Sequence, residues 1–186
     1  MNRRALLAAG SATVATSALA LDRPRKLSVG VIGHTGRGNY GHKLDTVWLK
    51  LVETEIVAVA DPDESGLAKA CKRLETSNGF TDYQEMLEKE KLDIVAVCPR
   101  HADQHHDMAL AAIESGARGI YIEKPFVRTP AEVDSLARAC NKHGTKIAIA
   151  HRNRWHPMLR VIDKFIADGH LGNLLEIRAR GKGDRR

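Results

Sequence analysis

The stretch that decides the fold is Leu27 to His42, LSVGVIGHTGRGNYGH. It opens on an apolar run, Leu27 to Ile32, whose Val29, Val31 and Ile32 suit a strand buried on both faces. Glycines follow at once, at Gly33, Gly36, Gly38 and Gly41. Beyond them Leu44, Val47, Trp48 and Leu51 recur at helical spacing. Strand, glycine-rich turn and helix together bring backbone N–H groups and a helix N-terminus up to a phosphate. The glycines allow two registers. Gly36-Arg37-Gly38-Asn39-Tyr40-Gly41 fits G-x-G-x-x-G by letter. Starting directly after the strand makes Gly33 and Gly38 the outer pair and puts Thr35 at the middle position. Gly36 then lets the backbone approach a pyrophosphate.

Working outward, Glu55 to Ala60 (EIVAVA) is a second apolar strand, ending at Asp61-Pro62-Asp63. A carboxylate at that point accepts hydrogen bonds from the adenosine ribose and repels a 2′-phosphate. Asp61 therefore favours NAD, with NADP the lesser cofactor. The alternative is a helix cap, a task that Asp63 could perform for GLAKACKRL. Further strands are expected at Gly79 to Thr81, Leu92 to Val97, Gly119 to Ile122 and Lys146 to Ala150. Helices are expected at Gly66 to Leu74, Tyr83 to Lys89, Gln104 to Ser115, after Thr129-Pro130-Ala131-Glu132, and from Pro157 to Asp168. This alternation predicts an α/β fold, a Rossmann-type doubly wound parallel sheet.

A last strand is expected over Leu174 to Ala179, where Glu176, Arg178 and Arg180 alternate with Leu175, Ile177 and Ala179 as in a sheet with one wet face. A lone strand is not stable. The expectation is a nucleotide-binding domain over 27–153, followed at 154–186 by the first strand and start of a truncated second domain.

The first 20 residues, MNRRALLAAGSATVATSALA, are set apart from the fold. Arg3-Arg4, a weakly apolar run and Ala18-Leu19-Ala20 read as a twin-arginine-like export signal with a small-residue cleavage site. Residues 21–26 are then a linker. The expected location is periplasmic or exported, or cytoplasmic if those residues are only a basic tail. The run is too short and polar for a membrane span. The net charge of +6 collects partly at the two ends, without the aromatic interleaving or module of a nucleic-acid surface. Cys71, Cys98 and Cys140 have no metal spacing, and no zinc or hydrolase motif occurs.

Ligands of an open parallel sheet sit at the carboxyl ends of its strands. Those ends hold Gly33 to Gly38, Asp61, Cys98 to His101, Glu123 to Pro125 and His151 to Arg154. Lys124, held between Glu123 and Pro125, suits either a substrate oxygen or an ion pair. These residues resemble the Gfo/Idh/MocA family of NAD(P)-dependent oxidoreductases. The matching pieces are VGVIG…GRG at Val29 to Gly38, VAVAD at Val57 to Asp61, CP…H…MALAA at Cys98 to Ala112, GIYIEKPF at Gly119 to Phe126, and RWHP at Arg154 to Pro157. Departures are Thr35 for the usual middle glycine and Arg100 where Asn is common.

The resemblance implies Lys124 beside nicotinamide and substrate as the catalytic lysine, and Asp61 as the ribose-binding acid. It makes His105 the helix-start histidine and Arg154 the arginine before the proline. The implied cofactor-binding set is Gly33, Thr35, Gly36, Arg37, Gly38, Asp61, Pro99, His105, Glu123, Lys124 and Arg154, with no metal ligands. It also implies hydride transfer between a sugar or polyol carbon and nicotinamide. The proton would go to a histidine in a D-x-x-x-H context of a second domain, which this chain does not include. That domain would carry most substrate contacts and homo-oligomer contacts. The competing expectation is a nucleotide-binding module without catalysis, acting with a partner chain.

Overall fold

The computed structural model describes residues 25–178. The expected signal at 1–20, most of the linker, and positions from 179 onward lie outside the described residues. Six strands form one parallel sheet: β1 (Leu27–Ile32), β2 (Thr54–Ala60), β3 (Gly79–Phe80), β4 (Ile94–Val97), β5 (Gly119–Ile122) and β6 (Lys146–Ile149). Their order is β3-β2-β1-β4-β5-β6. Every neighbouring pair is parallel. The helices are α1 (Glu64–Arg73), α2 (Tyr83–Lys89), α3 (His105–Glu114), α4 (Pro130–His143) and α5 (Pro157–Ala167).

The apolar strand runs are covered on both faces, as a parallel sheet requires. On one side Ile32, Ala58, Val95, Val97 and Ile122 pack with Met86, Met108, Ile113 and Leu136 from α2, α3 and α4. On the other, Val29, Val31, Val59 and Ala96 pack with Ala70, Leu74, Leu44 and Trp48. Local chemistry sets the helix ends. Thr129 and Glu132 form a reciprocal capping box at α4, and Gly144 closes it in the left-handed conformation at φ 74°. The Asp63 carboxylate accepts from the Gly66 N–H at 2.6 Å, so Asp63 is the α1 cap.

Two expectations fail. The apolar positions after the glycines do not form a helix. Two 3-10 turns take its place, Gly41–Lys43 and Val47–Lys50, with Leu44 and Leu51 directly after them, and His42 and Lys43 at positive φ of 43° and 65° interrupt the spiral. A single turn suffices to bury Leu44 and Trp48, while Val47 and Leu51 stay exposed. The last strand is not seen among the described residues: 174–178 are irregular and pair with no strand there. The apolar residues of α5, Met158, Val161, Ile162 and Phe165, are exposed. No helix among the described residues is long and apolar enough to cross a membrane.

Candidate functional site

The sheet order reverses direction between β1 and β4, and a crevice opens there at the carboxyl edge. The glycine loop leaving β1 spans this edge. Gly33 donates to the Ala60 carbonyl at 2.8 Å, tying the loop to β2. Gly41 donates to the Cys98 carbonyl at 2.7 Å, tying it to the end of β4. Several loop amides are spent internally. Those of Arg37 and Asn39 meet the His34 carbonyl, and that of Gly36 meets Asn39 Oδ1 at 3.0 Å.

The three glycines do different work. At Gly33 a Cβ would fall 2.1 Å from the Tyr40 ring, which lies directly on the backbone. At Gly38, with φ 88°, it would fall 2.5 Å from the Arg100 backbone nitrogen. Both are packing glycines. Gly36, at φ 81° with open space on its Cβ side, is the exposed point where a ligand can approach the backbone. A phosphate here meets a turn and open backbone rather than the expected helix N-terminus.

Asp61 is hydrogen-bonded within the chain. It is 0% exposed. Its oxygens accept the Thr35 N–H at 3.0 and 3.1 Å, the Thr35 hydroxyl at 2.7 Å and the Asp63 N–H at 3.0 Å. The carboxylate is thus held by donors of the glycine loop and the α1 turn. Thr35, where a glycine is usual, supplies the hydroxyl. Burial and the Asp61 charge push the Tyr40 phenol far above its ordinary pKa, so it stays neutral. A cavity of about 170 Å³ opens beside the loop, with His34, Asp61, Pro62, Tyr83, Gln104 and Met108 in its lining.

His105, Pro99 and Glu123 are likewise buried. His105 is a brace. Its Nε2 meets the Pro99 carbonyl at 2.7 Å, and Nδ1 meets the Pro125 and Phe126 carbonyls at 2.9 Å. It holds the loops after β4 and β5 together. Glu123 lies beneath the edge, with Oε1 accepting the Lys124 N–H at 3.0 Å. Arg37 pairs with Asp103 and so latches the glycine loop to the loop after β4. Lys124 and Arg154 are exposed. Lys124 Nζ has no ion pair among the described residues, which decides against the ion-pair reading.

Two residues of this edge escaped the sequence reading. Tyr40 covers Gly33, and His42 places Nδ1 3.1 Å from Glu123 Oε1. Gly41 was the available signal: a glycine just before a histidine marks a close backbone approach, here to Glu123.

The sheet order, the glycine loop at the switch point and the Glu-Lys-Pro loop beside it define a dinucleotide-binding α/β domain. Residues 27–151 match the Gfo/Idh/MocA model, described as an oxidoreductase family with an NAD-binding Rossmann fold, and the chain belongs to that family. Among curated relatives, D-apiose dehydrogenase of Paraburkholderia graminis is 28% identical over 125 residues, covering 67% of this chain and 33% of that protein. Levoglucosan dehydrogenase of Pseudarthrobacter phenanthrenivorans is 27% identical over 125 residues, covering 67% and 31%. Among solved structures, the scyllo-inositol dehydrogenase of Lactobacillus casei with bound NAD(H) and scyllo-inositol superposes with a TM-score of 0.68. It is 18% identical, and the match covers 80% of this chain and 43% of that one. The chain thus spans about a third of the length of these curated relatives.

Proposed function

We propose that the chain is the cofactor-holding part of a sugar or polyol dehydrogenase. The observation that carries this is Lys124: an exposed ammonium at the end of β5, without an ion pair among the described residues, on the same edge as the exposed Gly36. The residues suit a dinucleotide lying across that edge. The adenosine end faces the cavity beside His34 and Tyr83, the pyrophosphate approaches Gly36, and the nicotinamide end points toward Lys124. Bound NAD supplies the hydride acceptor. The Lys124 ammonium donates a hydrogen bond to the substrate oxygen and stabilises negative charge developing there. Arg154, exposed just past β6, supplies a second cation near the same edge.

Titration with NADH, followed by nucleotide fluorescence, tests the reading. Saturable binding below millimolar concentration is expected. No binding at millimolar NADH overturns it. Sugar turnover by this chain alone would overturn the division of labour with a second domain.

Export by the twin-arginine route belongs to the same proposal, supported by Arg3-Arg4 and Ala18-Leu19-Ala20. Cell fractionation of the Arg3→Lys, Arg4→Lys double variant should show precursor retained in the cytoplasm. Unchanged distribution would remove the signal reading.

A further inference from the structure

We propose that Asp103 sets how tightly the dinucleotide is held: it pairs with Arg37 in the free chain, and the cofactor pyrophosphate takes its place on the guanidinium. The proposal rests on the cofactor reading above. Arg37 follows Gly36, the point where the pyrophosphate approaches, and stands between two glycines of positive φ. Asp103 lies across the switch-point crevice, on the 3-10 turn Ala102–Gln104 that leads into α3. Their ion pair joins the loop after β1 to the loop after β4. A dinucleotide on an open parallel sheet crosses between those two loops. Among the described residues three side-chain contacts bridge this gap. His34 Nδ1 lies 2.7 Å from Gln104 Oε1, Arg100 Nε donates to the Gly38 carbonyl at 3.2 Å, and Arg37 meets Asp103. The first two end on neutral acceptors. Of the three, only the last joins a cation to an anion.

That pair suits an exchange. A guanidinium presents parallel N–H donors that fit a carboxylate or a phosphate alike. A pyrophosphate approaching Gly36 brings negative charge up to the Asp103 carboxylate, and the two repel. They also need the same donors. Both effects favour loss of the Arg37–Asp103 contact as the ligand enters. Giving it up costs little, because the Arg37 side chain is 54% exposed and that of Asp103 27%, and an ion pair so open to water is weak. The His34–Gln104 and Arg100–Gly38 contacts present no like charge to a phosphate, so they remain and keep the two loops together. Asp103 is then a positioning residue that acts through Arg37. It holds the guanidinium at the crevice while the site is empty, and it lowers affinity by the strength of the pair that the ligand must break.

Fluorescence titration of Asp103→Asn with NADH tests this without turnover. The amide keeps the shape and one acceptor oxygen and removes the charge. It should tighten NADH by about 5-fold, the scale of one exposed ion pair. ADP-ribose, which carries the pyrophosphate without nicotinamide, should gain as much in calorimetry. Adenosine, which carries no phosphate, should gain nothing. Arg37→Gln should weaken NADH by about 10-fold, and adding Asp103→Asn to it should restore nothing, because the carboxylate then has no guanidinium to hold. In nitrogen-15 NMR of the wild type, ADP-ribose should shift the Arg37 side-chain signal. Unchanged or weaker NADH binding by Asp103→Asn overturns the exchange and makes Asp103 a brace of the loop. A gain that survives in the Arg37→Gln background, or an Arg37 signal that ADP-ribose does not move, overturns it as well and leaves the cofactor reading intact. If the wild type binds neither NADH nor ADP-ribose at millimolar concentration, the cofactor reading itself has failed, and the exchange fails with it.

Discussion

The two edges of the sheet handle buried carboxylates in opposite ways. At the amino edge, Asp93 is met by charge. Arg25 pairs with it at 2.9 Å, Arg118 at 3.5 Å, and Ser28 donates both N–H and hydroxyl. At the carboxyl edge, Asp61 is met by amides and a hydroxyl, and Glu123 by a histidine and an amide. Lys124, next to Glu123 in the chain, has no ion pair among the described residues. The buried carboxylate of the amino edge is therefore met by cations, and those of the carboxyl edge by uncharged donors and a histidine. An ammonium locked in an ion pair could not serve a substrate oxygen, whereas backbone donors satisfy a carboxylate without consuming a cation.

Substitutions should separate the edges, and the largest effect is expected where backbone meets backbone. Gly38→Ala combines a left-handed φ with a Cβ 2.5 Å from the Arg100 backbone nitrogen. It should cost about 3 kcal/mol in urea unfolding. Gly36→Ala has the same handedness and open space, and should cost about half as much. Equal costs would mean that the glycine loop does not pack on the loop after β4.

Asp93→Ala comes next, at about 2 kcal/mol near neutral pH. The Arg25 guanidinium and the Ser28 donors hold the Asp93 carboxyl well below the ordinary carboxylate range. A depressed folded value stabilises at pH above the unfolded value, about 3.9, and that stabilisation is lost as pH falls toward the folded one. Variant and wild type should therefore converge in thermal melts between about pH 5 and pH 2. A gap that persists at acid pH would assign the effect to packing.

Asp61→Asn should cost about 1–2 kcal/mol, because an amide NH2 then faces N–H donors. Its penalty should not change in molar salt. That of Asp93→Ala should shrink, since Arg25 is 71% exposed and open to screening. Equal salt dependence would erase the distinction between the edges. Lys124→Ala should be the smallest, within about 0.5 kcal/mol. A larger loss would show the lysine engaged in the fold.

Much of the fold was legible in the sequence because its signals are local. Apolar runs at 27–32, 55–60 and 92–97 announce the strands found at 27–32, 54–60 and 94–97. Thr129, Pro130, Glu132 and Gly144 announce both ends of α4. The segment after the glycines misled, because four apolar residues at helical spacing also satisfy a pair of short turns. The expected strand at 174–179 carried the alternation of a sheet edge, but no strand pairs with it among the described residues. At the site, the residues that the sequence singles out collect at one edge, but spacing does not tell which of them are buried and which exposed. Pro99, His105 and Glu123 support the surface from below, and Lys124, Gly36 and Arg154 face outward.

By itself, then, the sequence determined the order of strands and helices, their caps and the family. Those depend on periodicity and on hydrogen bonds spanning a few residues. Only the tertiary structure decided that Thr35 holds Asp61, that His105 braces two loops, and that His42 meets Glu123. Each of those depends on which donor reaches a buried acceptor across strands distant in the chain. Residue spacing carries no record of that, whereas a buried carboxylate, which must find a partner, fixes it once the sheet has formed.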